Sequence, residues 1–203
     1  MRLHLGLISG ILWGMAASVS LAAPQIGQPA PDFTAQDTNG NTITLSELAG
    51  QLVILEWTNH QCPFVGKHYS SGNMQALQKE STADGLVWLS MISSAPGEQG
   101  YVTAAEANEL TESREAAPTA VILDPEGEIG QLYAARTTPH LYVIDEEGRL
   151  QYMGAIDSIP SAQISDLESA ENYVRTALQE LQAEEAVSTP ATQPYGCSVK
   201  YKS

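Results

Sequence analysis

Four short apolar runs punctuate this 203-residue chain: Leu52 to Leu55, Leu86 to Ile92, Thr119 to Leu123, and Leu141 to Ile144. Each is too short for an ordinary helix and too continuous for a strand with one wet face, so each predicts a strand covered on both sides. Leu150 to Ala155 predicts one more strand. Between these runs the apolar spacing becomes helical. Val65, Tyr69, Met74, Leu77 and Gln78 carry a helix toward Thr82, with Ser70-Ser71-Gly72-Asn73 as a break in its middle. Strand, helix and strand in that order predict a right-handed βαβ crossover. A helix rich in Ala and Glu follows from Ala104 to Arg114, capped by Thr103, and a short helical stretch covers Ile129 to Ala134. The last helix is predicted from Ser165 to Glu184, with Leu167, Ala170, Val174, Leu178 and Leu181 on one face.

Turn chemistry separates these elements. Thr34 to Gln36 and Thr42 to Thr44 flank Asp37-Thr38-Asn39-Gly40, a hairpin closed by Asn-Gly. Ser46 is expected to cap a short turn ending at Gly50. Asp124-Pro125-Glu126-Gly127 and Asp145-Glu146-Glu147-Gly148 share a D-x-E-G pattern but differ in their flanks, so they read as two turns and not as a repeat. The segment 186–203 contains Pro190 and Pro194, has no periodicity, and is expected to be a mobile tail.

The first 22 residues read as a secretory leader. Arg2 and His4 precede an apolar stretch from Leu5 to Val19, and Ser20-Leu21-Ala22 is a small-x-small cleavage site. Export follows as an expectation, to the periplasm in a Gram-negative cell and otherwise to the medium, with no membrane span after cleavage. Residues 23–185 are long enough for one well-buried domain. The chain holds 9 Lys and Arg against 24 Asp and Glu, a net charge of −15. Nucleic acid and anionic membranes are therefore excluded as expected partners. There are two cysteines, Cys62 and Cys197, and an oxidising compartment permits them to pair.

Cys62 stands where the first strand gives way to a helix. Pro63 behind it suits the first helical position, where a missing N–H costs nothing, so Cys62 falls at the helix N-cap. Unpaired backbone N–H groups and the positive end of the helix dipole favour a thiolate there. A cysteine of pKa about 8.5 is roughly 3% thiolate at pH 7, whereas one lowered to about 6 is roughly 90%. The alternative is a small buried hydrophobe without chemistry.

This strand–cysteine–helix segment, the IGQPAPDF opening from Ile26 and the Thr138-Pro139 pair before a strand together resemble the peroxiredoxin-like redoxins of the alkyl hydroperoxide reductase and thiol-specific antioxidant family, over about Ile26 to Ile156. The resemblance implies an α/β thioredoxin-like fold: a central mixed β-sheet flanked by helices, here with an N-terminal β-hairpin extension and a C-terminal tail. It implies that Pro139 is cis and faces Cys62. It also implies that Cys62 attacks peroxide, with Cys197 as the resolving thiol and an external thiol as reductant. Such chemistry needs a cation at the thiolate, for which Arg136 is the candidate and Arg114 or Lys67 the substitutes. Members of that family carry Thr or Ser three residues before the reactive cysteine. Asn59 stands there, with Thr58 one step further off, and Asn59 can donate only through its amide.

Two other readings stay open. Thiol–disulfide exchange with partner proteins is one, although Asn59 and Val65 occupy the positions where a Cys-x-x-Cys pair would place its second thiol. A metal carrier is the other, because His60, His68 and His140 fall near Cys62 or beside the Thr-Pro loop, and the Sco copper chaperones share the fold. Those proteins use Cys-x-x-x-Cys-Pro, whereas Thr58 occupies the first cysteine position here, so no metal or cofactor is expected.

Overall fold

The computed structural model describes residues 23–202, so the leader read over 1–22 lies outside the described residues. Five strands form the central sheet: β3 (Val53–Trp57), β4 (Val87–Ile92), β5 (Ala120–Leu123), β7 (His140–Ile144) and β8 (Leu150–Gly154). Their spatial order is β5-β4-β3-β7-β8; β3 runs parallel to β4 and β4 to β5, while β7 and β8 are antiparallel, so the sheet is mixed. The predicted hairpin forms β1 (Thr34–Gln36) and β2 (Thr42–Thr44), paired antiparallel outside this sheet. Gly40 takes φ +84° in its turn, a left-handed conformation that favours glycine.

β3 is buried at all five positions and feeds two cores. Val53, Leu55 and Trp57 pack with Leu89, Met91, Tyr133 and Tyr142 on one face. Ile54 packs with Met74, Leu77, Trp88, Val143 and Val174 on the other. Period-two alternation of this buried run, apolar but for Glu56, thus supplies both faces of the central strand. The crossover between β3 and β4 contains two helices, α1 (Pro63–Ser70) and α2 (Asn73–Ala83). They part at Gly72, which adopts φ +77°, as the polar Ser-Ser-Gly-Asn interruption predicts. α3 (Ala104–Ser113) begins with a complete capping box between Thr103 and Glu106. α4 (Glu128–Leu132) is a single short helix after the Asp124 turn.

Three local expectations change. Ser46 does not cap its turn, because its hydroxyl donates to Asp32 Oδ2 at 2.8 Å. The helix read over 165–184 is two pieces, a 3-10 turn at Ile164–Glu168 and α5 (Tyr173–Gln182). Asn172 restarts the helix by accepting Arg175 N–H at 3.0 Å, so an unbroken apolar period does not mean an unbroken helix. In place of a mobile tail, residues 186–202 lie along the body. Met153 of β8 donates its N–H to Pro190 O and its carbonyl accepts Thr192 N–H, each at 3.1 Å, and β9 (Cys197–Ser198) pairs antiparallel with β6 (Thr137–Thr138). Composition missed this because the tail is held by single hydrogen bonds and isolated side chains, not by a periodic apolar face.

Candidate active site: two cysteines across the Thr138-Pro139 loop

Cys62 is the N-cap of α1, with extended φ −83° and ψ 123°, and Pro63 follows at the first helical position. Upstream, Asn59 forms the turn: its side-chain Oδ1 accepts Gln61 N–H at 2.9 Å and its carbonyl accepts Cys62 N–H at 3.0 Å. Cys62 Sγ lies 3.1 Å from the Thr138 carbonyl oxygen, and the Thr138-Pro139 bond is cis. Cys62 and Cys197 form a disulfide with Cα atoms 5.9 Å apart, although 135 positions separate them in sequence.

Strand pairing delivers Cys197. In the β6–β9 register Cys197 sits opposite Thr138, the residue whose carbonyl faces Cys62. Gly196 has φ +132°, and a Cβ at that position would run into the Thr138 carbonyl oxygen. Only glycine allows the tail backbone to approach this closely. Cys62 is 1% exposed and Cys197 is half-buried, so the tail cysteine is the more open sulfur of the pair.

Thr138 and Pro139 are therefore at the sulfurs, as are Cys62 and Cys197. Thr138 Oγ1 is buried without a hydrogen-bond partner among the described residues. Asn59 is beside Cys62, but its amide nitrogen donates to Gln99 O at 3.2 Å and its amide oxygen accepts Gln61 N–H within the turn, so it serves the turn's geometry. Arg136 is exposed, and its guanidinium makes no hydrogen bond or ion pair among the described residues. Only its backbone is committed, to His140 and to Val199 of the tail. Of its substitutes, Arg114 reaches the carbonyl of His60 at 3.4 Å and lies over the Tyr69 ring, and Lys67 is buried in an ion pair with Asp157.

The three histidines do not converge. His60 is half-buried, its pKa lowered by burial and by Arg114. His68 is fully buried, with Nδ1 2.8 Å from Asn73 Nδ2, and burial holds its pKa down to about 4. His140 stacks on Tyr142 and is pushed down by burial to about 3. Among the described residues no group of three or more His, Cys, Asp and Glu side chains is arranged to hold a metal ion.

Two polar clusters escaped the sequence reading. Glu56, on the helix-bearing face of β3, is fully buried and accepts from Tyr69 Oη, Gln78 Nε2, Trp88 Nε1 and Ser90 Oγ at 2.9 to 3.1 Å. Behind the disulfide, Lys67 Nζ donates to Asp157 Oδ2 at 2.8 Å and to Ile159 O at 3.1 Å, while Tyr195 Oη donates to Asp157 Oδ1. A charged residue inside an apolar strand was the available signal for Glu56. Lys67, Asp157 and Tyr195 are distant in sequence, and no local pattern links them.

The fold and this site are those of a redoxin. The sequence profile of the AhpC/TSA family matches residues 26–153, and the chain belongs to that family. Among solved structures it is similar to a hypothetical protein of Sinorhizobium meliloti, with 21% identity, TM-score 0.73, and 90% of this chain and 97% of that one covered. An uncharacterized conserved protein of Geobacillus kaustophilus gives 22% identity and TM-score 0.71 over 88% and 93%. The exposed lipoprotein thioredoxin of Streptococcus pneumoniae gives 23% identity and TM-score 0.50 over 68% and 97%. No curated protein matches the sequence.

Proposed function

We propose that the protein is an exported two-cysteine oxidoreductase that cycles between a dithiol and the Cys62–Cys197 disulfide, with a peroxide as oxidant. The observation that carries this reading is the disulfide itself, between a helix N-cap cysteine and a tail cysteine seated opposite Thr138. In the reduced protein the helix terminus favours the Cys62 thiolate. That thiolate attacks the outer oxygen of the peroxide, the O–O bond breaks, and an alcohol or water leaves with the proton. The resulting sulfenic acid condenses with the Cys197 thiol and releases water. Two equivalents of an external thiol then restore the dithiol. An exported, oxidising setting suits such a pair, and among the described residues no helix is long and apolar enough to cross a membrane.

The test is one equivalent of hydrogen peroxide added to the reduced mature protein, with free thiols and intact mass followed over time. Loss of both thiols into one intramolecular disulfide supports the peroxidase reading. Unchanged thiols, together with reduction of insulin, would instead favour exchange with protein disulfides. One observation supports that second reading: an extended cysteine-bearing segment, the protein's own tail, is already paired along Thr137–Thr138 beside Cys62.

A further inference from the structure

The tail is tied down on both sides of Cys197 by contacts that do not involve sulfur. Before it, Thr192 Oγ1 accepts Ala155 N–H at 2.9 Å and meets Tyr152 Oη at 2.6 Å. After it, Val199 N–H donates to Arg136 O at 3.0 Å, Lys200 O accepts Ala95 N–H at 2.8 Å, and Tyr201 Oη donates to Ala135 O at 2.7 Å. These contacts fix the tail to the sheet and its loops. Tyr195 is different, because it reaches the helix that Cys62 caps. Its ring meets Phe64 edge-on at 5.8 Å, and Lys67 Nζ stands 3.5 Å from its hydroxyl and 5.7 Å from its ring centroid. Phe64 and Lys67 belong to α1, and Asp157 completes the cluster.

We propose that Tyr195, bound to the buried Lys67–Asp157 pair, is a positioning residue that holds Cys197 against Cys62 when the disulfide is open. The two cysteines then behave as a preorganised dithiol despite their distance in sequence. The polar cluster suits this role. Lys67 and Asp157 are 0% and 2% exposed, and a buried ion pair contributes little net stability after desolvation. Its directional bonds do set the tail's register against α1. Intramolecular closure gains from such order because the second thiol no longer has to be found by chain diffusion. The inference rests on the two-cysteine reading of this site but not on peroxide as the oxidant.

The experiment is a glutathione redox titration of the full chain, which involves no peroxide. Two glutathione thiols reduce the protein disulfide, giving the protein dithiol and glutathione disulfide. Tyr195→Phe keeps the ring and removes the hydroxyl. Asp157 Oδ1 keeps Ile159 N–H at 3.0 Å, so no charge is left bare. The ratio of squared glutathione to glutathione disulfide at the midpoint is expected to fall about tenfold, or about 30 mV for this two-electron couple. Tyr201→Phe, which loses an anchor that does not touch α1, should stay within about twofold of wild type. Because the unfolded chain is indifferent to the hydroxyl, the same tenfold shift requires the oxidised variant to lose more stability than the reduced one, so oxidised Tyr195→Phe should melt about 3–6 °C below oxidised wild type. Equal midpoints for wild type and Tyr195→Phe would overturn the proposal. A measurement on the wild type covers failure of the variant to fold: hydrogen exchange at Val199 N–H should remain protected in the dithiol form, and loss of that protection on reduction would equally overturn it.

Discussion

At the scale of single residues, the site divides into what sequence neighbours determine and what the fold assembles. Cys62 at a helix start followed by Pro63 is a local arrangement and was legible, as was Thr138-Pro139 before a strand. Cys62→Ser should abolish thiol chemistry yet leave α1 in place, because serine caps a helix well. Circular dichroism unchanged beside a complete loss of peroxide-dependent thiol oxidation checks this, and a melted helix signal would contradict it. The Lys67–Asp157 pair was not legible, because its partners are 90 residues apart and each reads alone as a surface charge. For Arg136, its place beside the loop is local information, whereas the exposure of its side chain is set by the fold. The buried histidines lead to a pH prediction. His68 and His140 have folded pKa values of about 4 and about 3, below the ordinary 6.5. Below pH 6.5 the unfolded chain binds protons that the folded one refuses, so stability is complete above that pH and falls as pH drops toward the folded values. Each histidine should contribute about 1.4 kcal/mol per pH unit over that window. The groups facing them are Asp157, Lys67 and Asn73 for His68, and Tyr142 and Arg136 for His140. Urea unfolding from pH 7 to 5 checks the slope, and His140→Phe should flatten it.

At the scale of elements, the strands were the most legible because a continuous apolar run has few alternatives in an α/β chain. β3 is also where pattern reading stopped short. Its Glu56 faces the helices and receives four donors from α1, α2 and β4, and burial raises its pKa. By sign, a raised carboxyl opposes folding as pH climbs through its folded value, so Glu56 is no source of net electrostatic stability at neutral pH. It is instead the acceptor that keeps Trp88, Gln78 and Ser90 satisfied. Glu56→Ala should therefore cost about 3–5 kcal/mol in urea unfolding, from stranded buried donors together with a cavity. A loss below about 1 kcal/mol would mean that these donors find water without difficulty. The last helix shows the limit of periodicity from the other direction. Leu167 and Ala170 are half-buried ahead of the buried Val174 and Leu178, so the apolar pattern continues through a 3-10 turn and a break that no α-helix spans.

At the scale of the whole molecule, the disulfide turns the domain into a closed loop. One end is the cysteine after the central strand, and the other is six residues from the last residue of the chain. In the chain-entropy account, tying two points 135 residues apart removes freedom from the unfolded ensemble and stabilises by about 5 kcal/mol. The contacts of the tail with the β8 edge, the Arg136 backbone and α1 remain available in the dithiol form, so the folded state loses little else on reduction. The difference between the two redox states should therefore lie mainly in the unfolded chain. Reduction is expected to lower the melting temperature by about 10–20 °C, taking about 2–4 °C per kcal/mol for a domain of this size. Cys197→Ser should melt near the reduced wild type and should not respond to added reductant. The measurement is a pair of thermal scans with and without a thiol reductant, thiol content being checked in each sample. If wild type with both thiols free melts within about 2 °C of the oxidised form, the cross-link is not a thermodynamic staple, and the unfolded chain already holds its two ends together.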